Sequence, residues 1–164
     1  MLTYVYFGTN DLKRATVFYD AALAPLGMER CITGDPDWDS ISAGWGTYED
    51  GGLRELAFWI GKPFDQQAAT TGNGSMVASR ARSWKQVDHF YAAALANGGS
   101  SEGAPGLRLH YSPDFYAAYV RDPDGNKLAA VCRGVRAPDT YSKAIRFSHS
   151  LPTPRSRMIG TGSS

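Results

Sequence analysis

At 164 residues the chain has room for one compact domain or two small fused modules, and 43% hydrophobic residues suffice for a substantial core. A net charge of +1 argues against a nucleic-acid surface, and no apolar run approaches membrane-spanning length. Residues 2–7 already read as a strand, with no basic-then-apolar leader before them, so no signal segment is expected.

Two cysteines, Cys31 and Cys132, are too few for a disulfide framework or a thiolate cluster; buried free thiols in a reducing, cytoplasmic setting are expected. Charge is uneven. Residues 1–132 hold 11 basic and 15 acidic side chains, a net of −4, whereas residues 133–164 hold 6 and 1, a net of +5.

In chain order, residues 2–7 (LTYVYF) have the β-branched and aromatic content of a strand. A helix follows, capped by Asp11, with Leu12, Ala15, Phe18, Tyr19, Ala22 and Leu23 at helical spacing and Gly27 as its stop. Residues 28–33 are a second strand and residues 34–39 (GDPDWD) a turn. Residues 40–45 and 53–60 are two more strands joined by a hairpin turn at 48–52.

The second half returns to the same order. Residues 75–80 are a strand. A helix capped by Ser83 carries Trp84, Val87, Tyr91 and Leu95 and ends at Gly98–Gly99. Residues 103–106 are expected to turn into a short strand at 107–111, followed by strands at 115–121 and 127–132 around a DPDGN turn at 122–126. The two helical stretches, TNDLKRATVFYDAALAPLG and ARSWKQVDHFYAAALANGG, are 72 residues apart and share eight identities. Such a repeat fixes the fold class as α+β, two tandem βαβββ modules with a helix on the back of each sheet and the other sheet faces turned to a cleft. The expected divisions are 1–62 and 74–132 for the modules, 63–73 for the linker, and 133–164 for a basic, irregular tail in which residues 141–147 offer a short helix.

The phrases GTNDLKRATVFYDAALAPLG, FWIGKPF, GNGSMV and FYAAYVRDPDGNKLAAVC resemble the glyoxalase, bleomycin-resistance protein and extradiol dioxygenase superfamily, the vicinal oxygen chelate proteins, over residues 1–132. That superfamily's fold, a pair of βαβββ modules, agrees with the repeat. The resemblance implies a divalent metal held by histidines and glutamates from the first and last strand of each module. The matching positions here carry Tyr4, Ala57, Met76 and Ala129. Methyl groups cannot bind a cation and a thioether is a poor ligand for hard ions, so no metal and no cofactor are expected. The rival is an ion held by His89, His110 or Glu55.

Strand alternation gives the expected lining. Tyr6 shares a face with Tyr4, Trp59 with Ala57, and Tyr119 falls in one of two sets, Phe115–Ala117–Tyr119 or Tyr116–Ala118. An apolar cleft of this kind suits an aromatic small molecule. The expected ligand-binding residues are Tyr6, Ala57, Trp59, Met76, Arg108, Tyr119 and Ala129. If chemistry occurs, His110, Tyr4 and Tyr116 are the acid–base candidates, His110 first because its ordinary pKa lies nearest neutrality. Three readings stay open: a metal-free binder, a metal-free lyase or isomerase (with a metal-dependent lyase or dioxygenase as the resemblance's own alternative), and a structural or dimerising relative. The implied partner is a small molecule, with a homodimer open and neither nucleic acid nor membrane.

Overall fold

The computed structural model describes residues 3–31, 34–48 and 54–134, with the side chains of 47, 48 and 54–57 outside that description. Residues 32–33, residues 49–53 (which include all but the first residue of the hairpin turn expected at 48–52) and the tail beyond 134, including the short helix expected at 141–147, lie outside the described residues.

The first module runs β1 (Val5–Gly8), α1 (Leu12–Leu23), β2 (Glu29–Cys31), α2 (Pro36–Ile41), β3 (Ser42–Tyr48) and β4 (Arg54–Gly61). The second runs β5 (Val77–Ala81), α3 (Trp84–Ala96), β6 (Ser100–Leu107), β7 (Tyr116–Arg121) and β8 (Lys127–Cys132). The two four-stranded sheets have the orders β1-β4-β3-β2 and β5-β8-β7-β6, each with one parallel pair, first strand against last. These are two tandem βαβββ modules.

Local chemistry sets the helix ends. The Asp11 carboxylate accepts from Arg14 N at 3.0 Å, and α1 closes through one 3-10 turn, Ala24–Leu26, onto Gly27 at φ +78°. At α3 the Ser83 hydroxyl accepts from Gln86 N at 3.2 Å, while Gln86 Oε1 accepts from Arg82 N at 2.6 Å. The α3 stripe is rotated from expectation: Trp84, Val87, Phe90 and Ala94 are buried, and Leu95 is exposed.

Two elements differ from the sequence reading. Residues 34–39 do not simply turn. Asp35 caps a short helix by accepting from Asp37 N and Trp38 N at 3.0 and 3.3 Å, and Pro36 supplies the preset φ of a first helical position, so α2 occupies residues read as turn and strand. The expected turn at 103–106 is instead taken up inside β6 by two register shifts. The extra residues fall at Glu102 and within Ala104–Pro105, between the paired Gly103 and Gly106, and Pro105 is tolerated because β6 is an edge strand that can spare an N–H. The turn comes later, where Tyr111 N and Ser112 N donate to the Arg108 carbonyl at 2.9 and 3.3 Å.

The helices α1 and α3 pack on each other, and one core joins the modules. Phe18, Tyr19, Trp45, Phe58 and Ile60 from the first meet Val87, Phe90, Tyr116, Val120 and Leu128 from the second. The DPDGN loop fastens this junction. Asp122, itself buried, accepts from the Tyr19 hydroxyl at 2.6 Å, from Asn126 N at 2.7 Å, from Asn126 Nδ2 at 3.0 Å and from Asp124 N at 3.0 Å. Asp124 accepts from the Thr9 hydroxyl at 2.6 Å and pairs with Arg14 at 3.1 Å.

Candidate functional site

With the helices together, the opposite sheet faces are left open and the cleft is not closed within the chain. Alternation assigns each side. Val5, Phe7, Phe58 and Ile60 turn to the core, so Tyr6 and Trp59, paired in register, turn away from it. In the second module Tyr116, Ala118 and Val120 are core, which leaves Ala117 and Tyr119 on the open side.

The open face of the first module is an aromatic shelf made possible by glycine. A Cβ on Gly44 would lie 2.7–2.8 Å from three ring atoms of Trp59, so only glycine lets the indole lie flat on β3. Likewise a Cβ on Gly61 would collide with the Tyr6 hydroxyl, which donates to the Lys62 carbonyl at 3.0 Å. Burial pushes the Tyr6 phenol above its ordinary value, so it is a neutral donor at physiological pH. Trp38, from α2, meets Trp59 edge-on at 6.3 Å. Tyr4 and Tyr6 are 60% and 41% exposed.

The open face of the second module is charged. The Tyr119 ring lies between the Arg108 guanidinium at 5.3 Å and the Lys127 ammonium at 5.7 Å. Arg121 and Lys127 both hold Glu102, at 2.7 and 3.2 Å, and keep its carboxyl below the usual range, Arg121 more strongly. Arg108 lies across the strand: a Cβ on Gly106 or Gly103 would meet its nitrogens at 3.1 and 3.4 Å.

Tyr4, Met76 and Ala129, three of the four positions matching the superfamily's metal ligands, fall on these faces by alternation. Strand pairing sets which positions of the two modules are equivalent. The ladder starts at Val5–Phe58 in one module and at Val77–Leu128 in the other, so the offset is 72 between β1 and β5 but 70 between β4 and β8. Ala129 therefore corresponds to Trp59, not to Ala57. The donor set does not fit a metal: Tyr4 is an exposed phenol, Met76 a 45% exposed thioether, and Ala129 a methyl 1% exposed, while the Ala57 side chain lies outside the described residues. Among the described residues no three His, Cys, Asp or Glu side chains cluster as a metal group would.

Other expected site residues are placed apart. Tyr116 is buried on the helix side, stacked on Trp84 at 4.2 Å and donating to Asp88 at 2.8 Å, away from both open faces. His110 is exposed in the turn after β6, its ring against Tyr111 at 4.1 Å, rather than on a strand. Trp38 and Gly44 were not singled out by sequence reasoning; the alternation A-G-W-G around Trp45 was the available signal for Gly44. A cavity of about 290 Å³ lies among Asn10, Ile41, Lys62 and Gln67, and none of the expected site residues lines it.

Paired βαβββ modules with an unclosed cleft define a class, and similarity to solved structures narrows it. A glyoxalase/bleomycin resistance protein from Albidiferax ferrireducens T118 is 38% identical, with a TM-score of 0.65 over 81% of this chain and 98% of that one. A glyoxalase-related enzyme from Fulvimarina pelagi (18% identical, TM-score 0.58, 82% and 89% covered) shares the fold. So does the fosfomycin resistance protein FosX from Listeria monocytogenes (15%, TM-score 0.54, 82% and 94%). No family model and no curated protein matches the sequence. The chain belongs to the glyoxalase/bleomycin resistance protein family. Among the described residues no helix is long and apolar enough to cross a membrane.

Proposed function

We propose that the protein binds an aromatic small molecule on its open sheet faces, without the divalent metal that the superfamily resemblance implies. The observation that carries this reading is the Trp59 indole laid flat on Gly44, with Trp38 at its edge and Tyr6 beside it, on the face turned away from the core. Rings held flat and accessible gain little for folding and offer a stacking surface to a planar ligand. Phenol, thioether and methyl groups at the matching metal positions support binding without an ion. The two buried thiols, Cys31 and Cys132, suit a cytoplasmic setting.

The test is titration calorimetry with the neutral bicyclic probe 2-naphthamide. Trp59→Ala is expected to weaken binding roughly 30-fold, about 2 kcal/mol. Gly44→Ala, which keeps the ring but lifts it from the strand, is expected to weaken binding several-fold. Unchanged affinity in both variants would remove the shelf from the function. A second copy of the chain is the rival occupant: in that case sedimentation mass, not naphthamide affinity, would change with Trp59→Ala.

A further inference from the structure

The ligand side of the second module differs in charge from the chain that carries it. Residues 1–132 have a net charge of −4, yet this face gathers Arg80, Arg108, Arg121 and Lys127 against one carboxylate, Glu102. Glu102 is engaged by Arg121 and Lys127. Arg108 and Arg80 have no carboxylate partner among the described residues. Arg108 is held in place by a neutral group, donating from Nη2 to the Ala104 carbonyl at 2.7 Å, which leaves the rest of its planar fork free to donate.

The two arginines stand at opposite ends of one row. Register places Arg80 beside Val131, Val131 beside Ala117, and Ala117 beside Gly106, over which Arg108 lies. Three strand spacings separate the ends, about 14 Å, with only a half-buried valine and small residues between. Ala117, in the middle of the row, has no exposed surface, so the row spaces the two cations rather than seating a ring. Tyr119 adds an aromatic wall next to Arg108.

Resting on the binding function proposed above, we infer that the ligand is an aromatic acid whose carboxylate or equivalent anion is taken by the Arg108 guanidinium beside Tyr119, with Arg80 at the far end of the row adding to the positive field. Cations unmatched by protein carboxylates on one sheet face concentrate an anion and orient it, and the interaction weakens with salt.

The experiment compares 2-naphthoate with its neutral isostere 2-naphthamide by calorimetry. Wild type is expected to bind the acid at least about ten-fold more tightly, a preference that shrinks when salt is raised to roughly 0.5 M. Arg108→Gln and Arg80→Gln should each reduce the preference severalfold, read as the ratio of acid to amide affinity. Arg108→Lys should retain part of the preference, and Glu102→Gln should raise acid affinity. Equal binding of acid and amide, or a preference untouched by both glutamine variants, would overturn the inference while leaving the binding function standing. Binding of neither probe at millimolar concentration would overturn both.

Discussion

Asp122→Ala is expected to lower stability by about 3–4 kcal/mol and the melting temperature by roughly 10–15 °C, read by circular dichroism. One buried carboxylate takes four hydrogen bonds, two from backbone amides, one from Asn126 and one from Tyr19, whose side chain is completely buried. Alanine leaves those donors without an acceptor and frees the loop that presents Asp124 to Thr9 and Arg14. The milder Tyr19→Phe removes one donor only and should cost about 1–1.5 kcal/mol.

The same pair gives a signature in alkali. Burial, and then the charge of Asp122, raises the Tyr19 phenol well above its ordinary value. An unfolded tyrosine ionises near pH 10, whereas the folded one keeps its proton. Above that pH the native state binds more protons than the unfolded one, so this stabilisation is intact below pH 10 and falls as pH rises, by up to about 1.4 kcal/mol per unit. Tyr19→Phe should flatten that slope. An Asp122→Ala protein within 1 kcal/mol of wild type would contradict the clamp.

Phe18→Ala is the second large effect, about 3–5 kcal/mol. The ring is completely buried where α1 meets the second module, and Gly99 exists to admit it: a Cβ there would lie 2.7 Å from Phe18 Cε2, 2.8 Å from the Arg121 carbonyl and 2.9 Å from that of Ala94. Truncation leaves a cavity across the module junction. Gly99→Ala alone should cost about 1–3 kcal/mol by overpacking. In the Phe18→Ala background that cost should fall but not vanish, because two of the three close neighbours are backbone oxygens that truncation does not move. A double-mutant cycle in urea measures the coupling. Independent melting of the two halves would contradict the shared core.

Much of this architecture was readable from residue chemistry. The caps at Asp11 and Ser83, the stops at Gly27 and Gly98, and the turn at Asp122–Asn126 follow from the needs of single backbone atoms, and those needs are local. The two modules followed from the repeat. What failed was non-local or ambiguous. Asp-Pro serves equally as a turn and as a helix start, and Trp38 gained a role because the helix formed. Glycines and a proline at 103–106 signal a turn unless the strand lies on an edge, which no local pattern reveals. The offset of 70 between the last strands could not be inferred from helices 72 apart, since strand register is set by pairing. Tyr116 could have faced either way until its neighbours chose the core, and His110 moved off the sheet with the later turn.

The most direct test of metal-free binding is calorimetry with 2-naphthamide on protein as purified, after dialysis against chelator, and after adding back zinc, nickel, manganese or iron in turn. The expected result is one affinity throughout. Affinity that disappears with chelation and returns with one ion would show a coordination sphere at work and contradict the proposed function.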